Sequence, residues 1–276
     1  MLKPRKQFGQ HWLRSEKALS QIVAAADLKK GDAHGLVRGD RVLEIGPGKG
    51  VLTRPLLDHA DAVIAIEIDR DLCAFLVKKF GKIDNFLLLQ GDFLSLDLEP
   101  LLAPLPNFQN PNKVVANIPY NITGPILEKL LGTIAQPNLY PFESIVLLVQ
   151  REIALRLRAN PGSSHFGALS VRVQYLAACD FICDVPAKAF QPPPKVDSAV
   201  IRLRPRSIAT PAHDPKKLET LLKLGFSSKR KMLRNNLQGV ISREALSELL
   251  ETMGINPQVR AEDLSVEQWV ALSNQV

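Results

Sequence analysis

The sequence predicts an α/β chain: an open, mostly parallel sheet with helices between its strands and an antiparallel strand at one edge, followed by a small all-helical domain. Three observations predict it. A strand-like stretch at 41–45 and apolar runs at 62–66, 86–89 and 114–116 alternate with segments whose apolar residues recur at helical spacing. Each run ends in glycine or a polar side chain, and the carboxyl ends of strands are where open α/β sheets bind ligands. Beyond Pro205 the composition shifts, and the remaining periodic segments are short and helical. The expected domains are therefore 1–205, opening with a basic arm at 1–14, and 206–276.

Composition bounds the function. At 276 residues and 46% hydrophobic, the chain is large enough to bury a sizeable core. It holds no apolar run of about 18 residues, so no membrane span is expected. The basic start has no apolar stretch behind it, so no signal peptide is expected. Cys73, Cys179 and Cys183 are odd in number and sit among apolar residues, which suits buried thiols in a reducing cytoplasm. The spacing of Cys179 and Cys183 lacks the further ligands of a zinc site, and the histidines form no metal motif. No metal is expected. The net charge of +7 permits a polyanionic partner.

Taken in order, the arm carries Lys3, Arg5, Lys6, His11 and Arg14 interleaved with Phe8, Trp12 and Leu13. Such a segment suits a nucleic-acid backbone or folds over a ligand, and its apolar bulk argues against a wholly disordered tail. Ser15 is a candidate N-cap for a helix to about residue 28. The stretch from Arg41 to Gly50 reads as strand, glycine loop and helix start, with Gly46 and Gly48 allowing close backbone approach. Its Gly-x-Gly-x-Gly pattern differs from the dinucleotide fingerprint. Glu67 follows Gly46 by 21 positions, where doubly wound folds place an acid on ribose hydroxyls. After the third strand, Asp92 can accept an exocyclic amine with Phe93 packed beside it; a plain Gly-Asp turn is the alternative.

The fourth strand ends in Asn117-Ile118-Pro119-Tyr120. Asn offers an acceptor and a donor on one short side chain, Pro119 stiffens the turn, and Tyr120 offers a face on which a base can stack. Taken alone, it also fits a strand end with a turn proline. A fifth strand at 144–149 precedes a basic helix. Two strands at 179–185 and 199–203, joined by a proline-rich loop, suggest an antiparallel pair at the sheet edge. Phe190 on that loop is either a second stacking platform or a hydrophobic plug. The segment 206–215 reads as a linker, followed by helices at 216–225, 229–238, 242–253 and 265–275. Lys229, Arg230, Lys231 and Arg234 would open the second of these with positive charge. That charge opposes the helix dipole, a conflict that a phosphate partner relieves; a solvated face is the alternative.

Together these residues resemble the ribosomal RNA small-subunit adenine N6-dimethyltransferase family. The likeness spans nearly the whole chain: Lys6 to Gln10, Glu44 to Gly48, Glu67 to Asp69, Asn117 to Tyr120, Phe190 to Ser198 and Ser227 to Leu237. The glycine loop alone fits any S-adenosylmethionine enzyme; the arm and the last two sheet motifs are more specific. The resemblance implies a Rossmann-like methyltransferase domain with a helical RNA-binding domain. It implies dimethylation of two adjacent adenosines near the 3′ end of small-subunit (16S) ribosomal RNA within an immature subunit, by a cytoplasmic monomer. It implies that His11 and Leu13 border the methionine end of S-adenosylmethionine, Gly46 and Gly48 line it, Glu67 holds the ribose, and Asp92 with Phe93 holds the adenine. Asn117 and Pro119 would lie at the reacting centre, with Tyr120 and Phe190 enclosing the flipped base. Lys3, Arg5, Lys6, Lys229, Arg230, Lys231 and Arg234 would contact RNA. Relatives usually carry Asn-Phe-Leu where this chain has His11-Trp12-Leu13, which leaves the part played by His11 open. A DNA adenine methyltransferase would share the Asn117 motif, and a non-catalytic assembly factor would share the fold.

Overall fold

The computed structural model describes residue 5 and residues 9–32 and 38–276. Lys3 and Lys6 lie outside the described residues. The strands are β1 (Trp12–Leu13), β2 (Arg41–Ile45), β3 (Ala62–Glu67), β4 (Phe86–Gln90), β5 (Lys113–Asn117), β6 (Ser144–Gln150), β7 (Ala177–Val185), β8 (Phe190–Gln191) and β9 (Ser198–Pro205). The helices are α1 (Glu16–Ala26), α2 (Thr53–His59), α3 (Arg70–Phe80), α4 (Leu98–Leu102), α5 (Thr123–Leu131), α6 (Arg151–Arg158), α7 (Ala168–Leu176), α8 (Pro215–Gly225), α9 (Leu233–Asn236), α10 (Arg243–Thr252) and α11 (Val266–Gln275).

The chain divides into two compact units. One comprises residues 1–130, 140–154 and 180–204; the other comprises 131–139, 155–179 and 205–276. The boundary expected at 205/206 falls where the last of these segments begins, while two shorter segments of the helical unit come from the middle of the chain.

In the first unit, seven strands form one sheet in the order β4-β3-β2-β5-β6-β9-β7. The pairs β4/β3, β3/β2, β2/β5 and β5/β6 are parallel, and β9 runs antiparallel to β6. Strands β3 and β6 are almost wholly buried, which explains why their sequences are near-continuous apolar runs; β2 is as deeply buried but carries Glu44 within it. The chain steps from β2 through β3 to β4 in one direction and from β5 to β6 in the other. The switch point thus falls between β2 and β5, and Gly46 and Asn117 end the two strands beside it.

Caps set the helix starts. Ser15 accepts from Ala18 N, and Asp69 accepts from Asp71 N. The C-terminus of α1 is tied to the sheet by Lys113, whose Nζ donates to Ala26 O and Asp27 O and pairs with buried Asp40 at 2.9 Å. At the start of the glycine-loop helix, Gly50 has φ +70°, and a Cβ there would lie 2.3 Å from Phe80 Cε2. Gly50→Ala is expected to cost about 2–3 kcal/mol of stability, read as a lower denaturation midpoint, because it adds a left-handed strain to an overpacked contact.

The second unit packs its helices around Trp269, which is fully buried among Leu218, Leu222, Leu246 and Leu250. Its indole N–H donates to Ala261 O at 3.3 Å. The helix expected over 229–238 is confined to Leu233–Asn236. Two contacts stop it earlier. The Asn236 amide donates to Gly225 O and Ser228 O, holding 225–228 as a turn, and Met232 forms an antiparallel bridge with Arg260. The cations at 229–231 therefore lie on a turn, where no helix dipole opposes them.

Candidate functional site

The carboxyl ends of β2, β3, β4 and β5 meet at one cleft in the first unit, and the arm residues Gly9 to Leu13 line its other side. His11, Leu13, Gly46, Gly48, Glu67, Asp92, Phe93, Asn117, Pro119 and Tyr120 all line it. Gly46 and Gly48 have φ +67° and +58°, so the loop takes a path that side-chain-bearing residues rarely adopt.

Two acids stand behind that loop. Glu67 is 5% exposed, and its carboxylate accepts from Gly48 N at 3.1 Å and from Asp69 N at 2.9 Å. Burial raises its pKa, and these backbone donors pull it back. Glu44 is more deeply buried and accepts from Thr53 Oγ1 at 2.7 Å. Burial pushes its pKa up to about 8; the Thr53 bond opposes this, and the negative charge of Glu67 adds to it. The folded protein thus keeps this proton to about pH 8, whereas the unfolded chain loses it near the ordinary 4.5. Between those values folding takes up a proton, so the Glu44 contribution to stability falls as pH rises. Glu44→Gln is expected to match wild type near pH 5 and to exceed its stability by a few kcal/mol at pH 9, measured by denaturant titration.

Among the described lining residues, Glu67 and Asp92 stand with a single Lys or Arg, Lys49, while Glu44 keeps its proton at pH 7 and adds no charge. This acidic lining suits a ligand that carries positive charge. Asp92 is exposed and accepts from Leu94 N at 3.0 Å, while Phe93 is buried. Lys129 holds this turn by donating to Phe93 O and Leu96 O, both at 2.6 Å, with Nζ 5.0 Å from the Phe93 ring centroid.

At the end of β5, Asn117 Nδ2 donates to His11 O at 3.1 Å. That bond fixes which way the amide faces, because a carbonyl only accepts. Its Oδ1 is the atom left to accept a donor from the cleft. Tyr120 is partly buried, and its hydroxyl and Ser198 Oγ share a hydrogen bond of 2.5 Å. Burial raises the Tyr120 pKa, so the ring is a neutral phenol at pH 7.

The arm is held at several points. Gln10 Nε2 donates to Asp69 Oδ2 at 3.1 Å, and Arg5 pairs with Asp69 at 3.2 Å and Asp71 at 2.5 Å. β1 pairs antiparallel with β8, setting Trp12 opposite Gln191 and Leu13 opposite Phe190. This pairing turns Phe190 inward: it is 3% exposed, packs in the core cluster that contains Leu13 and Ala189, and does not line the cleft. Arg230 and Lys231 are exposed, Arg234 is partly buried, and Lys229 pairs with Glu262 at 3.4 Å. Ser198, Gln10 and Asp69, which fix Tyr120 and the arm, were not predicted as site residues. Among the described residues no cluster of three or more metal-ligating side chains occurs, and no helix is long and apolar enough to cross a membrane.

The chain matches known proteins along its whole length. A family model described as ribosomal RNA adenine dimethylase matches residues 1–276. The ribosomal RNA small subunit methyltransferase A of Nostoc punctiforme is 67% identical over 276 residues, covering 100% of this chain and 96% of that protein. The protein of the same name from Nostoc sp. is 66% identical over 274 residues, covering 99% and 98%. Among solved structures, a dimethyladenosine transferase from Plasmodium falciparum aligns with a TM-score of 0.75 at 27% identity, covering 95% of this chain and 96% of that one. The 23S rRNA methyltransferase ErmE aligns at 0.73 and 28%, covering 96% and 98%.

Proposed function

The chain belongs to the ribosomal RNA adenine dimethylase family, and on that premise we propose how its cleft carries out the transfer. It is an S-adenosylmethionine-dependent enzyme that dimethylates N6 of two adjacent adenosines near the 3′ end of small-subunit ribosomal RNA. The substrate form we propose is the immature small subunit in the cytoplasm, met by a monomer.

When bound, S-adenosylmethionine supplies a methyl group already activated by its sulfonium, so the protein's task is positioning and electrostatics. The acidic lining and the backbone-held Glu67 carboxylate suit that cationic cofactor. In this reading Glu67 binds the ribose hydroxyls, Asp92 accepts from the adenine amine beside Phe93, and Gly46, Gly48 and the arm backbone at His11 and Leu13 border the rest.

The observation that carries the reading is the oriented Asn117 amide. The lone pair of adenine N6 is delocalised into the ring, which makes it a poor nucleophile. Asn117 Oδ1 accepts one N6 hydrogen, and a backbone carbonyl of the Asn117-to-Tyr120 turn accepts the other. The nitrogen then moves towards tetrahedral geometry, and the acceptors face the positive charge that develops on it. As the carbon–sulfur bond breaks with its electron pair left on sulfur, the methylated nitrogen would release its surplus proton to water, so no strong base is required. Tyr120 stacks on the extruded base and offsets part of an unstacking cost of about a few kcal/mol. Arg230, Lys231 and Arg234, with Lys3, Arg5, Lys6 and Lys229, supply phosphate contacts whose strength falls with salt.

The test is transfer of labelled methyl to unmodified small subunits, with mapping of the product. N6-dimethyladenosine at two adjacent positions near the 3′ end is the expected result. Label confined to large-subunit RNA, the substrate named for ErmE, would overturn the substrate assignment.

A further inference from the structure

We infer that Lys49, Arg54 and Lys79 form an RNA-contact surface of the first unit, which holds backbone phosphates beside the cleft. This rests on the proposed function and deepens it by adding a partner surface outside the helical unit. The three cations come from separate elements: Lys49 from the glycine loop, Arg54 from α2 and Lys79 from α3. Folding gathers them on three aromatic rings. Lys49 Nζ lies 3.7 Å from the ring centroid of Trp12, and Lys79 Nζ lies 4.8 Å from that of Phe80 and 5.7 Å from that of Phe75. The Arg54 guanidinium lies 5.4 Å from the Phe80 centroid, so two cations share one ring.

No acid balances this charge. Elsewhere in the unit, Arg5, Lys113, Arg151 and Arg202 pair with carboxylates. Among the described residues, none of the three cations has a carboxylate within ion-pair distance, and neither do exposed Lys78 and Lys82 on the same stretch of α3 and its following turn. The charged groups of Lys49 and Arg54 donate no hydrogen bond there either. Lys79 Nζ donates to Lys49 O at 3.1 Å and keeps two further N–H groups. Burial against the ring lowers the Lys79 pKa, and the like charge of Arg54 lowers it further. A solvated face gains nothing from bringing like charges together; an anion set among them removes the repulsion.

The rings make these cations fit for phosphate. Trp12 is packed on the glycine loop, where a Cβ at Gly48 would lie 3.1 Å from its Cδ1, and Phe80 is wholly buried. Platforms so fixed hold the long side chains in place beforehand and reduce the rotamer entropy lost on binding. Charge-assisted bonds to phosphate oxygens are stronger than attraction to a ring face, so the cations have more to gain from RNA. Lys49 is the single Lys or Arg among the described residues that line the cleft, and the surface starts at that rim. A nucleotide flipped into the cleft leaves the phosphates of its neighbours outside, within reach of such a rim. Contacts of this kind position a strand and carry no sequence information.

The test measures binding of the full chain to unmodified small ribosomal subunits, and to their protein-free RNA, over a salt series. The double variant Arg54→Gln/Lys79→Gln is expected to bind subunits about 10–100-fold more weakly at low salt. Its plot of log affinity against log salt should be shallower by about 1.5, the loss of two phosphate contacts. The charge-keeping pair Arg54→Lys/Lys79→Arg is expected to recover most of both. Affinity for S-adenosylhomocysteine should stay within about twofold throughout. Wild-type affinity and slope in the double variant would overturn the inference and leave the proposed function standing. A loss that the charge-keeping pair fails to recover, with a lowered denaturation midpoint, would assign the residues to packing and overturn it too. So would a loss on subunits with none on protein-free RNA, which points to an acidic ribosomal protein. A wild-type protein that neither binds nor methylates small subunits would overturn the proposed function itself.

Discussion

Asn117→Ala is expected to lower methyl transfer to small subunits by roughly 10²–10³-fold or more, while S-adenosylhomocysteine binds with nearly wild-type affinity. The two halves of this expectation have separate causes. The Asn117 amide contacts the arm through Nδ2 and faces the cleft with Oδ1. Alanine removes the acceptor that the reacting nitrogen needs as charge develops on it, an interaction stronger in the transition state than in the ground state. The groups assigned to the cofactor's ribose and adenine, Glu67 and Asp92, keep their own backbone partners at Gly48, Asp69 and Leu94. Turnover should therefore fall with little change in KM for the cofactor. Asn117→Asp would keep an acceptor but set a carboxylate against His11 O; it is expected to recover part of the activity and to loosen the arm. Single-turnover rates at saturating cofactor, beside calorimetric affinities, separate these effects. Wild-type rates in Asn117→Ala would remove Asn117 from the chemistry.

Much of this site is legible in the sequence because its residues sit where two local signals coincide. Gly46, Gly48 and Glu67 are found by a strand–turn–helix pattern with an acid at a fixed distance. Asn117 stands out as an amide closing an apolar run. What escapes a sequence reading depends on contacts between distant segments. β1 and β8 are two residues each, too short to show a period, yet their pairing decides where Phe190 points. An aromatic on a proline-rich loop reads equally well as platform or plug, and its burial here depends on a partner more than 170 residues away. The basic segment at 229–238 follows helical spacing, but Asn236 bonds back to Gly225 O and Ser228 O and keeps its first residues as a turn. Local propensity gives way there to side-chain hydrogen bonds that satisfy the end of α8.

The other large effect is expected at Glu67. Glu67→Gln should weaken S-adenosylhomocysteine binding by about 100-fold or more, since two charge-assisted bonds to ribose hydroxyls are each worth roughly 1.5–3 kcal/mol. The geometry of the carboxylate suits this proposed use. Backbone N–H groups of Gly48 and Asp69 hold one oxygen each, which fixes the group's plane and leaves further lone pairs on both oxygens. Burial raises its pKa, so protonation sets in above the usual carboxylate range. Affinity for the cofactor product in wild type should therefore fall as pH drops through that raised value, whereas Glu67→Gln should be weak and flat over the same span. The same carboxylate also braces the glycine loop, so the variant is expected to lose some stability as well. The pH profile separates the two roles: a purely structural brace would lower the denaturation midpoint and leave the binding of the remaining folded protein insensitive to acid. An acid-side loss of binding present in wild type and absent in Glu67→Gln would tie the ribose contact to the ionised group, because removing the titrating proton site is the only difference between the two side chains that acts on that slope.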